Sequence, residues 1–371
     1  VAPAPLTARR TYIFEAEWYD KVASFLKKFY LYYYPSDNTV ELFDIKTRKT
    51  FLRRSKCEGI HAKDFYVGAV VTIFSRSIKI TDYADCYTKT TLETKMQKTF
   101  GLLKPDVLDR MGEILKTILR NDFHLSNIKM MNLTREEALE ICEMIEESNK
   151  DLILVYYVIF VSMIRSAIEY LTSGPVVALE LMGENAVTHW CEVMGPDDPV
   201  EELDFFFPDP KTKLKGPKHT ATMEDCTCCI IKPHAVQAGL IGYIIEDIQN
   251  AGYKISAVQQ FLVNPYDAEE FLEVYKGVLP DYAAMVAELQ SGPCIVMEIK
   301  HNNENFNCHG EFRKFCGPMD PDIARQVRSE TLRAKYGKTK VQNAVHCMFV
   351  SCDWNTYFLR IPDIQYIESA L

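Results

Sequence analysis

FGLLKPDVLDRMGEILKTILRNDFHLSNIKMM, residues 100–131, has a counterpart in CCIIKPHAVQAGLIGYIIEDIQNAGYKISAVQQF, residues 228–261. Each opens on an apolar run that stops at Lys-Pro, passes through apolar positions at helical spacing, and closes on a strand-like segment. Further along, TSGPVVALEL (172–181) pairs with QSGPCIVMEI (290–299). Order repeated over this length means a duplicated domain. Each copy therefore reads as strand, amphipathic helix, strand, helices, then a strand opened by Ser-Gly-Pro. In the second copy the apolar run Ala344-Val345-His346-Cys347 adds a fourth strand, which completes the βαββαβ order of a ferredoxin-like α+β fold. In the first copy the chain passes from Gly195-Pro196-Asp197-Asp198 almost directly to Glu202-Leu203-Asp204-Phe205-Phe206-Phe207-Pro208, so that segment has no counterpart. The expected domains are 96–208 and 226–371, joined by a Pro-, Lys- and Thr-rich linker at 209–225.

The first 95 residues follow a different rule. Short alternating runs at 29–34, 39–44, 50–53, 70–74 and 77–81 are separated by turn residues, with Pro35-Ser36-Asp37-Asn38 as a hairpin loop. A small antiparallel β-domain over 1–95 is the consequence, and most of its aromatic residues are expected in its core. The run EAEWYD, followed by YYYPSDNTVELFDIKTRKTFLRR and VGAVVTIFSRSIKITDYAD, resembles a DM-ten domain, a pleckstrin-homology-like β-domain of ciliary and flagellar proteins. The resemblance implies tubulin or other axonemal microtubule proteins as partners. It also implies a place in the cytoplasm and cytoskeleton, at the axoneme of a cilium or flagellum.

Bulk composition narrows the function classes. The chain has 371 residues, 47% hydrophobic, with a net charge of −9. That balance argues against general binding of nucleic acid or anionic membrane while leaving room for a local basic pocket. Cys226-Thr227-Cys228-Cys229 leads straight into Ile230-Ile231, a pattern that favours buried strand cysteines over metal ligands, and no protein-borne metal site is assigned. The longest apolar run, 152–164, is too short to span a bilayer and reads as a buried helix or an oligomer contact.

Read alone, His346 in its apolar run is more often a core histidine than a nucleophile. The repeat changes that balance, because it resembles the nucleoside diphosphate kinase family. What the resemblance implies is transfer of the γ-phosphate of ATP to a nucleoside diphosphate through a phosphohistidine, with Mg2+ carried by the nucleotide. In the second copy, His346 matches the family's nucleophile and Asn343 its ribose-binding asparagine. Lys232 in IIKP matches the lysine that bonds ribose and phosphates, and Tyr275 in FLEVYKG the tyrosine whose hydroxyl approaches the histidine. Arg313 in EFRKFCGP and Arg333 in ETLRAKYG match the two guanidinium groups that neutralise the transferring phosphoryl. The family further implies that the two kinase-like domains pair within the chain.

Departures from the family pattern predict weak activity. His346 is followed by Cys347-Met348-Phe349-Val350, and no glutamate stands where the family places one to orient the histidine. Between Tyr275 and Ser291, Leu279-Pro280-Asp281-Tyr282 replaces the expected arginine and base-stacking phenylalanine. Met319 stands in place of a threonine, and Lys340 in place of an apolar residue that touches the base. The first copy has Cys191 where the second has Arg313, and no phosphotransfer is expected from it. The alternative is a structural microtubule protein whose kinase folds are inactive scaffolds or nucleotide sensors.

Overall fold

A computed structural model describes residues 11–20, 25–57, 60, 64–74, 76–93, 96–148, 165–194, 218–222, 225–303 and 306–347. The apolar run at 152–164, residues 209–217 and 223–224 of the linker expected at 209–225, and the residues after Cys347 lie outside these. The chain forms two compact units, the first comprising residues 1–97 with 290–292 and the second the rest.

The first unit is a curled six-stranded antiparallel sheet in the order β4-β3-β2-β1-β6-β5. Its strands are β1 (Tyr12–Asp20), β2 (Phe25–Tyr34), β3 (Thr39–Asp44), β4 (Lys49–Lys56), β5 (Val70–Ile73) and β6 (Arg76–Tyr83). The hairpin loop falls at 35–38 as expected, with Asn38 at φ +52°. β1 was not anticipated, and it lies at the centre of the sheet, paired to both β2 and β6. Glu15, Glu17 and Asp20 obscure its pattern, yet Phe14 and Ala16 point inward and are buried. Inside, Phe65 stacks on Tyr33 and Phe14 at centroid distances of 4.3 and 5.5 Å. Of Trp18, Tyr30, Tyr32, Tyr33 and Tyr34, expected mostly in the core, only Tyr33 is fully buried; Trp18 packs against the core, and Tyr30, Tyr32 and Tyr34 are half-buried. Phe14, Phe29 and Phe65 fill the rest of the core, while Phe25 and Phe51 are exposed and share the charge of Lys27.

The second unit is built on a seven-stranded sheet, β13-β10-β12-β11-β8-β9-β7. The first copy contributes β7 (Met96–Leu103), β8 (His124–Met131) and β9 (Val176–Glu184). The second contributes β10 (Thr227–Ile231), β11 (Tyr253–Phe261), β12 (Cys294–His301) and β13 (Val345–Cys347). Taken in chain order, the second copy's strands lie 4-1-3-2, the ferredoxin-like arrangement. The first copy's lie 2-3-1, and among the described residues it has no fourth strand, as its missing segment requires. Cys228 and Cys229 are wholly buried inside β10, and Cys226 is buried just before it.

The two copies meet edge to edge through β8 and β11, with Gln259 opposite Lys129. The helices beneath, Met111–Arg120 and Ile241–Asn250, cross at glycine on both sides. A Cβ on Gly112 would lie 2.2 Å from the Glu246 nitrogen, and one on Gly242 would lie 2.4 Å from the Lys116 nitrogen. Only glycine permits that approach. The contact is then fixed by Lys116 Nζ to Glu246 Oε1 at 2.6 Å and by Gln249 Oε1, which accepts the Gly112 N–H at 2.9 Å. No helix of the described residues is long and apolar enough to cross a membrane.

Candidate active site

His346 sits in the middle of β13, paired with Ile230 of β10, and is 9% exposed. The strand starts only at Val345 because Ala344, just before it, has φ +67° and turns the chain out of the sheet. The imidazole meets Phe271 edge-on at 5.0 Å and Tyr275 edge-on at 6.2 Å between ring centroids. Burial pushes its pKa well below 6.5, and the positive charges of Lys232 and Arg333 push it the same way. At neutral pH the ring is uncharged and carries a free lone pair, which is the state a nucleophile needs.

Lys232 directly follows β10 and stands at the N-terminal boundary of the Pro233–Gln237 helix, without a side-chain capping bond. The residue is 5% exposed, and its ammonium donates to Val341 O at 2.8 Å. Burial, with Arg333 adding and Glu288 opposing, lowers its pKa from 10.5 to about 7. A buried cation with one carbonyl partner suits an anionic ligand. Arg333 lies on the Leu332–Tyr336 helix and is already engaged by the protein. Nη1 donates to Gly317 O at 2.7 Å, Nε to Val345 O at 3.2 Å and Nη2 to Cys347 Sγ at 3.8 Å.

Asn343 is 1% exposed; its Nδ2 donates to Met319 O at 3.0 Å, while Oδ1 is buried with no hydrogen-bond partner. An orphaned buried acceptor is costly and calls for a donor, as a ribose hydroxyl would be. Tyr275 closes a 3-10 turn, its phenol pushed up to about 12 by burial despite the nearby charges of Arg333 and Arg313. Arg313, on the Cys308–Cys316 helix, is exposed. Its charge reaches Tyr275 and Cys347. The structure thus gathers Lys232, Tyr275, Arg333, Asn343 and His346 within one buried site, with Arg313 at its exposed side.

The departures from the family pattern have structural counterparts. Leu279, Tyr282, Met319 and Val341 pack with Phe271 and Tyr275 into one apolar cluster. This wall reaches the His346 ring through Phe271 and Tyr275. Lys340 reaches toward Asp320 at 3.5 Å and is largely exposed, so it does not complete that wall.

Two groups were missed in the sequence. His234, directly after Lys232-Pro233, forms a buried pair with Glu288, Nδ1 to Oε1 at 2.6 Å. Its signal is a titratable residue beside an expected ligand, but Glu288 lies 54 residues away. The other is a thiol cluster of Cys229, Cys316 and Cys347, packed in the same core as Ala344 and Val345. A hydrogen bond from Cys316 draws the Cys347 thiol down against the effect of burial, with Arg333 and Arg313 adding to it, while burial drives Cys316 up.

Two family models match the chain. The nucleoside diphosphate kinase model matches residues 97–212 and again 225–350, and the DM10 domain model matches 7–88. "Nucleoside diphosphate kinase homolog 7" of Rattus norvegicus is 39% identical over 396 aligned positions, covering 97% of this chain and 95% of that protein. Its counterpart in Mus musculus has the same identity and coverage. A crystal structure of the Aquifex aeolicus nucleoside diphosphate kinase shares 27% identity, with a TM-score of 0.33 over 38% of this chain and 94% of that one. Two family matches that together span most of the chain, and relatives aligned along nearly its whole length, lead to one conclusion: the chain belongs to the nucleoside diphosphate kinase family.

Proposed function

We propose that the domain at 226–371 moves the γ-phosphate of ATP to a nucleoside diphosphate through phospho-His346, with Mg2+ arriving on the nucleotide. The observation that carries this reading is a buried, neutral His346 flanked by two cations, Lys232 and Arg333. A ring nitrogen attacks the γ-phosphorus, the bond to the bridging oxygen breaks, and the diphosphate leaves with that electron pair. The β-phosphate oxygen of a second diphosphate then attacks the phosphohistidine and restores the ring. Lys232 and Arg313 face charge that builds on the phosphoryl oxygens, and Asn343 Oδ1 accepts from ribose. Arg333 must exchange its carbonyl partners for phosphate before it contributes, which supports weak activity. The domain at 96–208 serves as a paired scaffold across the Gly112 and Gly242 contact, with 209–225 as linker.

The β-domain at 1–95 attaches the protein to microtubules of the axoneme in a cilium or flagellum, within the cytoplasmic cytoskeleton. Its likeness to the DM10 family supports this placement. A second reading, nucleotide binding without turnover, is favoured by the same Arg333 bonds. Incubation with ATP and GDP decides between them. GTP formed by the wild type and abolished by His346→Ala supports transfer, and nucleotide-dependent thermal stabilisation without GTP supports the sensor. Deletion of residues 1–95 should release the protein from microtubules, and unchanged attachment overturns that placement.

A further inference from the structure

We infer that His234, held by Glu288, is the positioning residue for the segment that carries His346; this role rests on the phosphoryl transfer proposed above. The segment needs such a hold because Ala344, two residues before His346, occupies a left-handed conformation at φ +67° that L side chains rarely adopt. Its peptide groups are clamped from both sides. The Ala344 N–H donates to His234 Nε2 at 3.2 Å, and Ala344 O accepts the Lys232 N–H at 2.9 Å. Because Nε2 accepts, the ring proton lies on Nδ1, which donates to Glu288 Oε1 at 2.6 Å.

The same carboxylate ties three elements together. Oε1 also accepts the His234 backbone N–H at 3.2 Å, and Oε2 accepts Gln342 Nε2 at 3.1 Å. It thereby joins the Pro233–Gln237 helix, the Tyr282–Leu289 helix and the loop that enters β13. His234 and Glu288 are 5% and 7% exposed, so water does not compete for these bonds. Burial alone would raise the Glu288 carboxyl, but the His234 hydrogen bond and that of Gln342 outweigh it, and the group lies below the usual carboxylate range. A buried pair of this kind adds little net stability, but it specifies one arrangement. Here that arrangement sets the direction of Asn343, one residue before Ala344, and of His346, two residues after it.

The test uses the full chain and three substitutions. His234→Asn keeps a donor toward Glu288 but has no atom at Nε2, His234→Gln restores an acceptor within reach of Ala344, and Glu288→Gln weakens the hold while keeping its shape. Single-turnover labelling from γ-labelled ATP is followed across ATP concentration, and amide hydrogen exchange is followed over residues 341–347. His234→Asn is expected to slow maximal labelling about 10–100-fold, with half-saturation changed less than about threefold, because misplacement rather than binding is affected. Exchange at 343–347 should quicken, and His234→Gln should recover most of both effects. Should His234→Asn fail to fold, the Gln variants carry the comparison. Labelling and exchange unchanged in the variants, with a labelled wild type, overturn the positioning role alone. An unlabelled wild type overturns phosphotransfer and this role together.

Discussion

Replacing Lys232 with methionine should stabilise the protein at neutral pH while removing its activity. In the folded chain, burial and Arg333 hold the ammonium near pKa 7, against 10.5 for an ordinary lysine. The folded value lies below the unfolded one, so the penalty is complete below pH 7, shrinks as pH rises from 7 to 10.5, and vanishes above. Proton linkage gives a penalty of about 4 kcal/mol at pH 7 and about 1.5 kcal/mol at pH 9.5. Methionine keeps the length of the stem and lacks the charge, but it strands Val341 O, now bonded at 2.8 Å. That lost bond costs about 1–2 kcal/mol, which leaves a net gain of about 2 kcal/mol at pH 7 and about zero at pH 9.5. Urea unfolding of both proteins at the two pH values measures the difference. A variant less stable than wild type at pH 7, or a difference that does not change with pH, refutes the reasoning.

Two further outcomes follow from the same structure. Gly112→Ala or Gly242→Ala puts a methyl group within 2.4 Å of backbone at the seam between the copies. Each should destabilise the second unit by about 2–3 kcal/mol, read as a lower urea midpoint. His346 lies well below 6.5 because of burial and two cations. A depressed base stays neutral where the unfolded group would charge, so at saturating ATP the rate of phosphoenzyme formation should hold level through pH 6.5. An inflection at that pH would show a solvated histidine instead.

What the sequence made legible was what recurs along the chain. The paired Lys-Pro and Ser-Gly-Pro segments gave the strands of both copies, and the 4-1-3-2 order followed from the run around His346. The site residues Lys232, Asn343 and His346 were legible only through the resemblance to the kinase family, since nothing in the apolar run around His346 separates a nucleophile from a core histidine. β1 was hidden because its acidic positions interrupt the inward pattern of Phe14 and Ala16. The pair of His234 and Glu288 was hidden for another reason: its meaning comes from helix packing that brings distant residues to 2.6 Å. The engagement of Arg333 by backbone carbonyls was likewise beyond the sequence, since nothing local marks a carbonyl as an arginine's partner.

The most direct measurement is the position of the phosphate. After brief incubation with ATP and Mg2+, mass spectrometry under basic conditions should find one phosphate on His346, and it should disappear when a nucleoside diphosphate is added. A protein that carries no phosphate there, or carries one that a diphosphate does not remove, would contradict the account.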